Sequence, residues 1–349
     1  MPTTTTTDHM AARDAVAFDA VAHAHSIVGN CYRVGDYYEV GREKIREYAL
    51  AVQDPHPVHQ HESAAAEYGY AGLLAPPTFG SLLANAVTSA LGEILVGYDL
   101  TSTMQTDQVL DFLRPVIAGD QLTSHISLRS FRQAFGGDLL VVENIVTNQR
   151  GEIVLTAQTS LVARSGPAAA NDDVMHSLAS IIRKPNNPAG TVTAGPSPLE
   201  GSTAPVSQRL RARAASSVST GETLPSKVFT LTLGDLVHYA GVSGDANPIH
   251  WHDAAAELFG LDSAVAHGML TMGMGAGYVT TWLGDPGALR QYCVRMTSPV
   301  YVTAERPSEI EYQGRVKHLD PDSGLATIAL TAIHDGRKIF GRATATVQL

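Results

Sequence analysis

The feature that most constrains this chain is an internal repeat. Shifting the 349-residue sequence by 191 positions, without a gap, lays Tyr48 on Tyr239, Asp54 on Asp245, Pro57 on Pro248 and His59 on His250. The same offset lays Ala64 and Ala65 on Ala255 and Ala256, Gly69 on Gly260, and Ala75 on Ala266. An Asp, a Pro and a His recurring in order at one offset mark a duplication or fusion. The chain is therefore read as two units of one fold. Between them, from Ser165 to about Val206, it turns rich in Pro, Gly, Ser and Ala, the composition of a linker. The expected division is a flexible tail over 1–25, a first unit over 26–165, a linker over 166–206 with a short helix near Val174 to Arg183, and a second unit over 207–349.

Each unit has the same plan. A helix (REKIREYALAV, then LGDLVHYAGV) leads to a loop carrying Asp and His, and an Ala-rich helix follows (Glu62 to Tyr68; Asp253 to Leu258). A long apolar helix comes next, Pro77 to Ile94 in the first unit and Gly268 to Leu283 in the second. Three alternating strands close each unit, with hairpin turns at Asn148–Gly151 and Asp335–Gly336. The pattern implies an α+β fold in which antiparallel sheet wraps around a helix. Gly273, Gly275 and Gly277 cost the second long helix about 1 kcal/mol each relative to alanine, a sacrifice explained by close backbone approach or by space for a ligand.

Charge and composition exclude several functions. With 24 basic against 34 acidic side chains, the net charge of −10 leaves no footprint for nucleic acid. Cys31 and Cys293 lie far apart and in no CxxC pair, which fits a reducing, cytoplasmic setting. The N-terminus lacks the basic and apolar regions of a secretory signal. The longest apolar stretch, Val265 to Leu283, is broken by four glycines and a histidine, so no membrane span is expected.

The chemistry concentrates in YAGVSGDANPIHWHDAAA, residues 239–256. Gly244, Asn247 and Pro248 favour a fixed turn, which can present the Asp245 carboxylate and the His250 imidazole to one point. Imidazole exchanges a proton near neutral pH, and a carboxylate beside it can orient a water or a hydroxyl. AVAHGMLTMG follows, with Gly268 opening the long helix, where free N–H groups and the positive dipole end favour a developing oxyanion. HxxHxH at His56, His59 and His61, and HxH at His250 and His252, raise the question of a metal. Neither brings matching Cys or carboxylate ligands, and no metal is expected.

YAGVSGDANPIH followed by AHGM resembles the signature of (R)-specific hydratases and dehydratases of the MaoC-like hot-dog superfamily. More closely, GVSGDANPIHWHD, AHGMLTMGMGAGYVTTWLGDPGA and KIFGRATA resemble the B subunit of the mycobacterial-type (3R)-hydroxyacyl-acyl carrier protein dehydratases. YEVGREKIREYALAV, GYAGLLAPPTF, DQVLDFLRPVIAGDQL and ENIVTNQRGEIV resemble the A subunit, so the chain looks like the two fused as a double hot-dog.

The resemblance implies dehydration of (3R)-hydroxyacyl thioesters in type II fatty acid elongation of the mycolic acid type. His250 would take the C2 proton, Asp245 would protonate the departing hydroxyl, and the Gly268 amide would hold the thioester oxyanion. Asn247 and His267 would bind substrate, and no cofactor would be needed beyond the phosphopantetheine of the substrate. The partners implied are acyl carrier protein or CoA thioesters and other type II synthase enzymes, with the chain a monomeric double hot-dog or a further dimer. An (R)-specific enoyl-CoA hydratase of fatty-acid oxidation and a silent acyl-thioester-binding protein are the alternatives.

The first unit keeps Asp54 and His59 but has Gln53 for Gly244, His56 for Asn247 and Pro77 for Gly268. Proline has no N–H to donate, so Asp54 and His59 are expected to be a vestigial pair, and the first unit to hold the acyl chain. Residues 1–165 carry 10 basic and 18 acidic side chains against 14 and 16 in 166–349, so the less repulsive surface for an acidic carrier is in the second half. Arg209, Arg211 and Arg213 alternate as on one face of a strand, and Arg337, Lys338 and Arg342 lie near the C-terminus. Either group is a candidate for the phosphopantetheine phosphate, or simply a solvated basic face.

Overall fold

The computed structural model describes residues 18–98, 100, 103–134, 136–163, 192–198 and 212–349. Two units of the same plan share one antiparallel sheet. In the first, α2 (Arg42–Ala51) leads through a 3₁₀ turn, Pro57–His59, to α3 (Glu62–Glu67). Strands β3 (Met104–Phe112), β4 (Gln121–Ala134), β5 (Gly137–Thr147) and β6 (Ile153–Ala163) curl around α4 (Ala84–Ile94). In the second, β8 (Thr223–Leu231) and α5 (Leu233–Ser243) lead through the 3₁₀ turn Pro248–His250 to α6 (Asp253–Leu258) and then α7 (Gly268–Leu283). Strands β9 (Leu289–Met296), β10 (Ser308–Leu319), β11 (Leu325–His334) and β13 (Phe340–Gln348) close that unit, with the short β12 (Arg337–Lys338) paired to β11. The fold is the expected α+β double hot-dog.

The sheets expected to be separate are continuous. β3 pairs antiparallel with β9, Val109 opposite Cys293, joining the strands into one 13-stranded sheet among the described residues. Both junction strands were absent from the sequence reading. β3 reads MQTDQVLDF, without the clean apolar–polar alternation that would have marked it as a strand. Asp107 bonds Arg295 at 2.8 Å and Asp111 bonds Gln291 at 2.7 Å across this seam.

Four other expectations need correction. The long first-unit helix is split: Pro77–Leu83 is 3₁₀, and the α-helix begins only at Ala84. The expected tail overlaps a helix, α1 (Ala20–Ser26), which buries Ala24 and ties His23 Nε2 to the Ile94 carbonyl at 2.8 Å. Within the expected linker, β7 (Val192–Ala194) returns to pair with β1 (Cys31–Val34) at the sheet edge. Arg213 lies outside any strand; its guanidinium is held 2.9 Å from Glu222 and stacks 4.5 Å over Trp282, packing that a run of alternating arginines does not disclose. Arg209, Arg211 and the helix near Val174 to Arg183 fall outside the described residues. Cys293 is a free thiol, and no helix among the described residues is long and apolar enough to cross a membrane.

The second helix needs its glycines. A Cβ on Gly273 would fall 2.7 Å from Val52 Cγ1, and one on Gly275 would run into the Tyr292 hydroxyl. Glycine thus lets α7 lie against both the other unit and its own sheet, at the expense of helix propensity. Tyr48 and Tyr239, equivalent in the repeat, touch at 6.1 Å between ring centroids, which places them at the near-twofold axis relating the units.

Candidate active site

The Asp-His loop of the second unit is built by local rules. α5 ends at Gly244, in the left-handed region at φ +79°, and the chain turns into the 3₁₀ segment whose first residue is Pro248. Asn247 Oδ1 accepts from the Ile249 N–H at 3.2 Å, and Asp245 Oδ1 accepts from the Asn247 N–H at 3.4 Å. These bonds hold the loop around His250.

The His250 ring is fixed in one tautomer. Its Nδ1–H donates to the Val265 carbonyl at 2.8 Å, so Nε2 carries the lone pair, 3.9 Å from Asp245 Oδ2. Burial lowers the His250 pKa, against the opposing pull of Asp245 and the Val265 carbonyl. The imidazole is therefore a neutral base at neutral pH. Asp245 is half-exposed while His250 is buried, so the pair faces an opening.

His267 lies behind it. Its ring stacks on His250 at 3.7 Å and 23°, and on its other side meets Tyr239 at 4.8 Å. Nε2–H donates to the Asp245 carbonyl at 3.1 Å. Burial, with His250 adding to it, pushes its pKa down to about 2 despite that carbonyl. At 1% exposure the ring is a buried support. Asn247 and His267, read as substrate-binding residues, thus place these described hydrogen bonds on the protein's own backbone, shaping the loop that carries His250. Gly268 follows as the first residue of α7, where N–H groups lack helical partners. A Cβ there would stand 2.6 Å from Met296 Sδ.

The first-unit pair repeats this geometry in a closed form. His59 Nδ1–H donates to the Leu74 carbonyl at 2.6 Å, and Leu74 is the repeat equivalent of Val265. Nε2 lies 3.4 Å from Asp54 Oδ2, with both side chains at most 1% exposed. Burial pushes the Asp54 carboxyl up, but His59 and the His56 N–H and ring hold it, on balance, below its ordinary value. Pro77 occupies the place of Gly268 and offers no N–H.

Each pair is faced by the helix of the other unit. Asn85, on α4, donates from Nδ2 to the Gly244 carbonyl at 2.8 Å, anchoring the Asp245 loop. Sequence reasoning had no signal for Asn85. Nor did it find the buried hydroxyl chain in which the Tyr48 hydroxyl lies 2.8 Å from Ser81 Oγ and Ser81 lies 3.5 Å from Tyr239, although both tyrosines stood out in the repeat.

Among the described residues, Asp245, His250 and His267 bring ligand atoms within 4.8 Å of one another. The free lone pairs of the two imidazoles lie in the planes of stacked rings, whose centroids are 3.7 Å apart and whose planes are inclined by 23°. They do not converge on an ion about 2.0–2.1 Å from each, so this donor set does not fit a tetrahedral metal.

A neutral base, a carboxylate and a helix N-terminus meet in the second unit, groups that together can accept a proton and face a negative charge. Comparison with known proteins identifies the family. The model for the FAS1-like dehydratase domain region matches residues 26–157, and the MaoC-like domain matches 216–333. A solved MaoC-like dehydratase is 40% identical with a TM-score of 0.84, covering 93% of this chain and 99% of that one. The chain belongs to the MaoC-like dehydratase family. A UPF0336 protein of Mycobacterium leprae is 45% identical over 142 residues, 40% of this chain and 89% of that protein. A protein of Mycobacterium tuberculosis described as having a double hot-dog fold superposes with a TM-score of 0.59 at 14% identity, covering 92% of this chain and 96% of that one, a likeness of fold.

Proposed function

We propose that the chain dehydrates (3R)-hydroxyacyl thioesters to trans-2-enoyl thioesters, and hydrates them in reverse, at the single site of the second unit. The observation that carries this reading is the fixed tautomer of His250, whose lone pair is aimed at the space shared with Asp245 beside the start of α7. His250 Nε2 takes a proton from C2, and the enolate oxygen is held by the amide at Gly268. As the C3–O bond breaks, the imidazolium, 3.9 Å from Asp245 Oδ2, passes the proton it took from C2 through that carboxylate to the departing hydroxide, which Asp245 positions. Enoyl thioester and water are the products, and both side chains are restored.

The first unit supplies the acyl-chain site. A cavity of about 230 Å³ lies between α4 and the first unit's sheet and includes Met269, next to Gly268, in its wall. It exceeds the roughly 150 Å³ apolar cavity that accommodates benzene. In the second unit the corresponding space beneath α7 is filled by Tyr292 and Tyr312, both fully buried. We assign the carrier as acyl carrier protein, the setting as cytoplasmic type II fatty acid elongation of the mycolic acid type, and the cofactor requirement as none.

The test follows hydration of trans-2-enoyl-CoA substrates by loss of enoyl thioester absorbance, in wild type and His250→Ala. Activity lost in the variant supports the reading. No activity with CoA or carrier-protein thioesters at any chain length would replace it with a silent acyl-binding protein.

A further inference from the structure

The inner face of the first unit's sheet carries polar residues where a core is expected to be apolar. Reading across paired strands, one row runs Ile126, Asn144, Ala157, Leu110, and the next Leu128, Val142, Thr159, Gln108. Gln108 is buried, and its Oε1 accepts from Thr159 Oγ1 and Gln105 Nε2, each at 2.8 Å. Asn144 Oδ1 is buried and has no hydrogen-bond partner among the described residues.

These residues lie where the core divides. Leu83, Leu110 and Leu155 belong to the cluster shared with the second unit, whereas Leu91, Leu128 and Val142 belong to a separate one. In the second unit the inward residues Tyr292, Ile328, Leu330 and Ala343 all belong to one cluster. The cavity beside Met269 opens onto this division, with Asn144, Gln108 and Thr159 on its sheet wall and Ser81 and Thr88 on its helix wall. From Ser81 to Leu91 the helical wall runs ten residues, about 15 Å, far enough for an acyl chain to reach well past C3.

A wall for a plain hydrocarbon chain gains nothing from these groups, since an unpaired buried acceptor is destabilising and a polar wall binds methylenes poorly. We propose that the cavity selects acyl chains carrying a hydroxyl group beyond C3, with Asn144 Oδ1 accepting the hydrogen bond from that hydroxyl. The proposal rests on the acyl-thioester reading above and narrows its substrate class. Sites built to bond a substrate hydroxyl discriminate strongly against the analogue that lacks it.

The experiment compares kcat/KM for trans-2-octenoyl-, decenoyl- and dodecenoyl-CoA with their terminally hydroxylated counterparts, in wild type, Asn144→Leu and Thr159→Val. The expected result is a preference of about tenfold or more for the hydroxylated chain at one length in wild type, reversed in Asn144→Leu and reduced in Thr159→Val. Preference for the plain chain at every length in wild type overturns the proposal, and the polar row then holds only water. trans-2-Butenoyl-CoA, too short to span the cavity, reports the chemistry separately in wild type. Should no thioester turn over, the functional reading fails by itself. Calorimetry with the matching free fatty acids then decides the cavity: tighter binding of the hydroxy acid, lost in Asn144→Leu, sustains the proposal, and equal binding overturns it.

Discussion

Gly277 lies against Asp54: a Cβ on the glycine would stand 3.2 Å from both Cγ and Oδ2 of the carboxylate. The helix that begins at one site therefore closes the other. Two Asp-His pairs with the same carbonyl anchor differ in what crosses them, a backbone surface over Asp54 and the amide of Asn85 beside Asp245.

The pairs should respond differently to substitution. Asp245→Asn and His250→Ala are expected to lower turnover by about 10²–10⁴-fold with the fold retained. His59→Ala leaves the Asp54 carboxylate buried without its partner and should cost about 3–5 kcal/mol of stability. Hydration rates and urea denaturation on the same preparations check both. A His59→Ala protein that is fully stable yet inactive would place catalysis at the closed pair.

The pH dependence follows from the neutral state of His250. Its pKa is lowered from 6.5 by burial, so the base is protonated only in more acid solution. kcat/KM should be flat through neutral pH and fall on the acid side, with an inflection below 6.5. A rate profile from acid to neutral pH measures this, and an inflection above that value counts against the assignment.

His267 should make the fold acid-sensitive. Its pKa falls from 6.5 when free to about 2 in the folded protein. The unfolded chain thus binds the proton first, and the stability at stake is complete above pH 6.5 and is lost progressively as pH falls toward 2. His267→Phe, which keeps a ring between Tyr239 and His250, should show a smaller loss of urea midpoint between neutral and mildly acid pH than wild type.

Asn85 acts on the site from the other unit. Asn85→Ala frees the Gly244 carbonyl and should lower kcat, by about tenfold, more than it raises KM. Gly244→Ala should be worse, because φ is +79° and the new methyl would stand 2.6 Å from Asn85 Nδ2. Combining the two substitutions removes the clash but leaves the backbone strain, so the double variant should recover part of the loss, as a double-mutant cycle of kcat values shows.

What the sequence determined by itself is local. The bounds of α7, Gly268–Leu283, are legible because a glycine-led apolar run ends at another glycine, Gly284, which takes the left-handed cap. The hairpin at Asp335–Gly336 is legible because both residues adopt positive φ. The two Asp-His loops and the missing N–H at Pro77 are equally local. The tertiary structure decided the rest. β3 and β9 became interior strands only by pairing with each other, and His267 became a buried, neutral support only by lying between Tyr239 and His250. Which pair stays open, and which core is left divided around a cavity, depends on contacts between residues more than a hundred positions apart. A repeat encodes the same loop twice; only the packing of each unit against the other makes the two copies different.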